Sequence, residues 1–440
     1  MALEANEPGM GARLLRALRH RNYRLYFVGQ GVSLIGTWLT QVATSWLVYR
    51  LTGSTVLLGV VAFAGQIPLF VLGPFMGVLV DRWNRHRILV VTQTIAMLQS
   101  FALAYLALRH IITVHHIIGL NIVQGVVNSL DMPARQAFLV EIIENREDLP
   151  NAIALNSSMV NGARLIGPSI AGLLIAGVGE GMCFLIDGIS YIAVVVALLA
   201  MRVGHAKKKE KSAGALREMW NGAKYAFGFA PIRAILLLTA FVSLTGVSYS
   251  ILMPVFATQV LHGGARLLGF LMAMSGVGAL AGALFLAARR TVVGLGRIIV
   301  IAGMVFGGAL VVFALSHVLW VSMMAMMLMG FAMITLFASS NTVLQTVVED
   351  RMRGRVMSFF GMAFMGMMPF GSLLAGWLAA RIGPAWTVAI CGVSAAAACG
   401  VFAMKLTALR KLVRPIYVEK GIIVEVAKGL NVAAELEERA

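Results

Sequence analysis

The chain has 440 residues, 59% of them hydrophobic and only 12% charged, with a mean hydropathy of +0.86, whereas a soluble domain carries about a quarter charged residues. Water is therefore excluded as its main solvent. The formal charge of +17 does not indicate a nucleic-acid partner, because the Lys and Arg fall between apolar runs and form no patch with interleaved aromatics.

Residues 1–22 are basic, and the apolar run after them is too long for a signal-peptide core and lacks a small-residue cleavage site, so a cytoplasmic N-terminal segment and a retained first helix are expected. Runs long enough to cross ~30 Å of hydrocarbon occupy 23–49, 56–80, 88–108, 117–140, 149–177 and 182–201. After a stretch containing Lys207, Lys208, Lys209 and Lys211, six more occupy 234–261, 267–288, 297–315, 319–348, 356–380 and 385–404. The expected fold is all-α integral membrane: twelve transmembrane helices as two pseudo-symmetric six-helix bundles, 23–203 and 234–406, around a central cavity. A cytoplasmic basic linker, 204–233, joins the bundles, and a poorly ordered cytoplasmic tail, 407–440, follows. With both termini cytoplasmic, the opposite face receives only Arg50, Arg109, Arg266 and Arg381, as the positive-inside rule requires.

The halves align directly. Residues 51–59 (LTGSTVLLG) match 261–269 (LHGGARLLG) at an offset of 210, while 167–172 (GPSIAG) match 371–376 (GSLLAG) and 186–190 match 390–394, both at an offset of 204. Matched helices run in the same direction, which is a parallel repeat with its pseudo-two-fold axis along the membrane normal.

Between the second and third runs, Gly73-Pro-Phe-Met-Gly77 leads to Asp81, Arg82, Arg85 and Arg87: small residues for close helix contact, then a carboxylate and cations at the helix end. This resembles the signature of the major facilitator superfamily. The resemblance implies a conformational latch at Gly77, Asp81, Arg82 and Arg85, one-sided because the matching segment 287–290 has no acid. In the fifth run, Gly162, Gly167, Pro168 and Gly172 resemble the superfamily's exporter motif, with Ala171 where glycine is usual; the proline is expected to bend the helix.

Asp131, Asp187, Arg135 and Arg164 lie within helices of the first half, where a charge is costly and usually faces a cavity or a partner. They are the proton-coupling candidates, with Asp131 first, a permanently paired structural bridge being its alternative; for Asp187, nearer the opposite end of its helix, a helix-terminal or packing role is the main expectation. Asp131 has two possible partners, Arg135 one helical turn on and Arg164 in the next helix. Neutral polar residues able to line a substrate cavity are Gln30, Gln41, Gln66, Gln124, Asn128, Asn161, Asn341 and Gln345, although interhelical glue is the alternative. Methionines such as Met323, Met324, Met326, Met329, Met333, Met365 and Met368 serve equally as an adaptable wall or as filler.

The segments 36–39 (GTWL), 46–54 (WLVYRLTGS), 133–137 (PARQA) and 149–152 (LPNA) resemble the bacterial subfamily that includes the enterobactin exporter and macrolide efflux proteins. That resemblance implies proton-driven export of drug- or siderophore-type molecules across a bacterial inner membrane, by alternating access. Some relatives carry an acid near the position of Thr37, which this chain lacks. Expected partners are a small-molecule substrate, protons and membrane lipids, with the protein monomeric. Neither a phosphate-binding GxxxxGK[ST] loop nor metal-ligand spacing among its histidines and three cysteines is present, so no enzyme activity, cofactor, disulfide or metal is expected. An importer, a lysolipid flippase or a transport-silent scaffold are the competing expectations.

Overall fold

The computed structural model describes residues 16–143, 145–202, 215–289 and 291–423, apart from the side chains of Pro74, Val78, Asp81 and 215–219. Every regular element among them is helical. The first half comprises α1 (Arg21–Thr52), α2 (Thr55–Arg82), α3 (Arg85–Leu108), α4 (Val114–Glu141), α5 (Leu149–Val178) and α6 (Glu180–Ala200). A short connecting helix follows, α7 (Ala215–Gly228). The second half comprises the helical run α8 (Ala230–Val260), α9 (Ala265–Ala287), α10 (Leu295–Leu315), α11 (Leu319–Val347), the run α12 (Asp350–Ile382) and α13 (Pro384–Glu419).

Among the described residues, ten helical runs are long and apolar enough to cross a membrane. At 32 and 28 residues, α1 and α4 have comparable length and more polar content, including Gln30, Gln41, Asn121, Gln124 and Asp131. A covalent reason underlies each main break. Pro254 cannot donate a backbone hydrogen bond, and around it α8 passes from α-helix through a 3-10 stretch, Val247–Leu252, to a π turn, Phe256–Val260. Likewise α12 breaks at Gly366 and restarts at Met368 with Pro369 in its first turn. The turn from α1 to α2 uses Gly53 at φ 60°, a left-handed conformation only glycine adopts without strain, and the Ser54 side chain then caps α2 by accepting from the Leu57 amide.

Within the first half, α1 packs on α5 and α6, α2 on α4, and α3 on α4 and α6. The second half repeats much of this plan, with α9 on α11, α10 on α11 and α13, and α8 on α12 and α13. Across the halves, α2 meets α12 and α5 meets α9. One end of the bundle carries the start of α1 and the end of α13. There Arg16 and His20 both engage Asp148 at the start of α5, His20 at 2.8 Å, and the Lys420 Nζ donates to the Thr346 carbonyl at 2.7 Å.

Two sequence expectations change at this level. The expected tail boundary at 407 falls inside α13, which continues through Pro415 to Glu419; residues 424–440 lie outside the described residues. The expected linker contains α7, while residues 203–214 lie outside the described residues.

Candidate functional site

The halves touch where they have least side chain. On α5, a Cβ added to Gly172 would lie 2.7 Å from the Ala265 carbonyl and 2.9 Å from the Gly269 Cα, and a Cβ on Gly276 would lie 2.9 Å from the Leu165 Cα. On α2, a Cβ on Gly59 would lie 2.7 Å from the Ser372 carbonyl and 3.4 Å from the Gly376 Cα, and Thr55 donates to the Gly376 carbonyl at 3.0 Å. Backbone thus meets backbone at both crossings, as small residues permit. Further along α2, Phe63 and Phe70 pack edge-on against Phe370 of α12, with ring centroids 5.8 and 5.3 Å apart.

Toward the end that carries the termini, the contact stops. Gly73 and Gly77 of α2, Gly162 of α5, and Gly354 and Gly361 of α12 all face open space. Backbone contact between the halves is thus found toward the α1–α2 turn and open glycine faces toward the other end, a wedge-like pattern of contact.

Arg164 sits where α5 leaves its contact with α9. Pro168 has no amide hydrogen to give to the Arg164 carbonyl, and that carbonyl lies 3.2 Å from where a Gly276 Cβ would be. The guanidinium carbon is 5.9 Å from the centre of the Trp38 ring of α1. Tyr249, from the 3-10 stretch of α8, lies near enough to interact with it and also neighbours Ser275 of α9. Among the described residues, no carboxylate pairs with Arg164.

The two intramembrane acids have different surroundings. Asp131 is ion-paired with Arg135 and receives hydrogen bonds from Thr92 at 3.0 Å and Gln93 at 2.6 Å, both on α3. Of the two partners open to it in sequence, it takes Arg135, because α4 packs on α2 and α3 whereas α5 packs on α1 and α9. Arg135 also borders a small crevice with Tyr26, Gln30 and Gln93 inside the first half.

Asp187 is fully buried between α1, α3 and α6 and accepts from Thr40 at 2.7 Å and Ser100 at 2.9 Å. Its other oxygen has no partner, and Gly36 faces it so closely that a Cβ there would lie 2.5 Å away. No cation pairs with it among the described residues.

At the expected latch, Gly77 is open on one side, Arg82 is exposed, and Arg85 reaches Glu141 at the end of α4, 3.4 Å away; the Asp81 side chain lies outside the described residues. In the expected exporter motif, Gly167 rests against Trp38, Pro168 and Gly172 abut Gly269, and Gly162 stands free.

The neutral polar candidates divide. Gln30 is buried inside the first half, Gln124 bonds to Asn128 at 3.1 Å, and Asn161 bonds back to the Ser157 carbonyl. Gln345 bonds to Asn341 at 2.9 Å on an exposed face, Gln66 is half-buried and Gln41 is exposed. Met326, Met329 and Met333 fill the core of the second half, whereas Met324 is exposed beside Trp320 in a groove between α10 and α11. Sequence reasoning does not single out Thr40, Thr92, Gln93 and Ser100, the groups that hold the two acids; their one signal is a polar side chain in an otherwise apolar run.

Comparison with known proteins agrees with this architecture. Residues 13–418 match the family model described as a transmembrane secretion effector. Similar proteins include a staphyloferrin A transporter of Staphylococcus aureus, 27% identical over 84% of this chain and 93% of its own length. The multidrug efflux pump Tap of Mycolicibacterium fortuitum is 26% identical over 79% of this chain and 87% of its own length. Macrolide efflux protein A of Streptococcus pyogenes is 23% identical over 83% and 92%.

Two solved structures share the fold. The nucleoside transporter NupG has a TM-score of 0.66 at 15% identity, covering 88% of this chain and 99% of NupG. A bacterial homolog of the human lysosomal transporter Spinster has a TM-score of 0.63 at 15% identity, covering 91% and 98%. These are transport proteins and not enzymes, and this multi-pass membrane chain belongs to the transmembrane secretion effector family of the major facilitator superfamily.

Proposed function

We propose that the chain is a secondary transporter that exports small amphipathic molecules from the cytoplasm by alternating access, with proton antiport as its energy source. The observation that carries this reading is the wedge: backbone contact through Gly59, Gly172, Gly269 and Gly376 at one end and open glycine faces at the other. That pattern would suit one access state of a two-part carrier, which rocking of the halves about the closed end would exchange for the other.

Twelve crossings follow if α1 and α4 span with the ten more apolar runs. A two-fold relation between the halves is supported by the contacts themselves. Gly59 and Gly269 occupy matched positions at offset 210, Gly172 and Gly376 at offset 204, and the partners across the interface are Gly59 with Gly376 and Gly269 with Gly172. The excess of Lys and Arg at the end bearing the termini favours a cytoplasmic location for it, so the wedge opens inward. Export, in preference to import or lipid flipping, is favoured by the similarity to the efflux pump Tap and macrolide efflux protein A and by the Gly-Pro motif.

For coupling, the geometry favours Asp187 over Asp131. Asp131 already has a cation and two further donors, whereas Asp187 is buried with one oxygen unpartnered, the kind of intramembrane acid that can take up and release a proton during a cycle. Arg85 with Glu141, together with the sequence-motif residues Gly77, Asp81 and Arg82, would then hold the inner end in one state as a latch.

The test is substrate-induced proton flux in proteoliposomes under an imposed pH gradient, using siderophores, macrolides and lipophilic ions. Proton movement triggered by any of them, with net export of that compound, supports the antiporter. Transport without proton movement removes the coupling, and movement only inward removes the direction.

A further inference from the structure

We infer that Arg164 is the recognition point for a negatively charged group, and that the transported molecules are therefore amphipathic anions, such as carboxylates. This deepens the proposed function and rests on it for the word transported, but the binding claim stands on the site itself.

A guanidinium inside a membrane protein is costly unless a partner or water satisfies it. Arg135 has Asp131, whereas Arg164 has no acid among the described residues and accepts only the company of Trp38 and Tyr249. None of its nitrogens is a sealed, unsatisfied donor, and it makes no hydrogen bond with the protein among the described residues. The side chain is half-buried, not sealed, and lies on the side of α5 toward Trp38 of α1 and Tyr249 of α8, where the two halves meet. The position is beside the crossing of α5 and α9, where a Gly276 Cβ would lie 2.9 Å from the Leu165 Cα and 3.2 Å from the Arg164 carbonyl.

The surroundings fit an amphipathic anion. A planar guanidinium offers paired donors that match a carboxylate, phosphate or sulfonate, and it rests on an indole face. Arg164 and Trp38 come from the first half, while Tyr249 and Ser275 come from the second. A ligand held there touches both moving parts, so its binding energy can differ between access states, as any coupled carrier needs. Lipophilic cations meet the wrong charge at this point.

The experiment uses two dyes on one xanthene frame, anionic fluorescein and cationic rhodamine 6G, with the full chain purified in nanodiscs and, separately, in proteoliposomes. Wild-type protein should bind fluorescein more tightly than rhodamine 6G. Arg164→Gln should weaken fluorescein binding about tenfold or more, the size expected for one charge-assisted hydrogen-bonded pair, and leave rhodamine 6G binding unchanged or tighter. Arg164→Lys, which keeps the charge, should retain part of the affinity and guards against loss through misfolding; unfolding temperatures of all three proteins are compared.

Preference for rhodamine 6G, binding of neither dye, or fluorescein binding that is insensitive to Arg164→Gln in a folded protein overturns the inference. The transport arm is read separately. Export of rhodamine 6G alone keeps the exporter and rejects the anion site, while Arg164-dependent fluorescein binding without any export keeps the site and rejects the exporter.

Discussion

Arg135 closes on Asp131 from one helical turn further along α4, and Thr92 and Gln93 of α3 complete the carboxylate's shell. A buried pair of this kind is more damaging to break than to remove. Asp131→Asn should therefore destabilise the protein by roughly 3 kcal/mol by stranding Arg135, while the double variant Asp131→Asn with Arg135→Gln should recover a good part of the loss. Thermal unfolding in detergent reads both. Equal destabilisation by the single and the double variant would mean that the pair is not the interaction at stake.

Asp187→Asn keeps the shape of a side chain whose contacts are Thr40 and Ser100, so the variant should fold and insert normally. Gradient-driven transport should be lost, while exchange of labelled for unlabelled substrate, which needs no net proton, should persist. If uphill transport is intact in Asp187→Asn and absent in Asp131→Asn, the two acids exchange roles.

Much of this arrangement is legible in the order of the residues. Hydrophobic runs fix helix positions because hydrocarbon leaves the backbone no other way to satisfy its hydrogen bonds, and the Asp131 to Arg135 spacing puts the two side chains on one helical face. Arg164 fails as a partner for Asp131 for a definite reason. Sequence suggests that consecutive helices are neighbours, yet α5 lies against α1 and α9 and not against α4. Nor does sequence give the groups that hold Asp187, since Thr40 and Ser100 become relevant only once α1 and α3 are brought to α6. The breaks in α8 and α12 have their signals in Pro254 and Pro369, but a proline alone does not say whether a helix continues past it, as α5 does at Pro168, or restarts.

Gly36 leaves no room between α1 and α6. A Cβ there would lie 2.5 Å from the Asp187 carboxylate and 2.6 Å from the Ser190 hydroxyl. Gly36→Ala should cost about 1–3 kcal/mol through overpacking and displace Asp187 as well. The expected result is a lowered unfolding temperature with a disproportionate loss of proton-coupled transport, and unchanged coupling at a lowered unfolding temperature would separate Gly36 from the acid.

At the splayed end, Arg85 and Glu141 join the start of α3 to the end of α4. Both side chains are about one-fifth exposed, 21% and 19%, so an ion pair there contributes about 1 kcal/mol. Glu141→Gln should shift the balance of access states several-fold without affecting ligand affinity in either state. Labelling rates of cysteines introduced at Gly73 and at Ser169, in a background lacking the buried Cys183, Cys391 and Cys399, report the shift, and equal rates in variant and wild type would remove the latch.

The four glycines at the closed end have one more implication, which concerns friction. Interdigitated side chains must unlock and find new rotamers before two surfaces can roll over each other, and each change adds a barrier. Where α2 meets α12 and α5 meets α9, Gly59, Gly172, Gly269 and Gly376 present bare backbone, which has no rotamers to change. In the proposed cycle the crossings would act as a plain bearing: they would fix the axis of movement while leaving its speed to be set elsewhere, at the charged splayed end and by whatever binds at Arg164. Enlarging any one of the four should slow the cycle before it unfolds the protein.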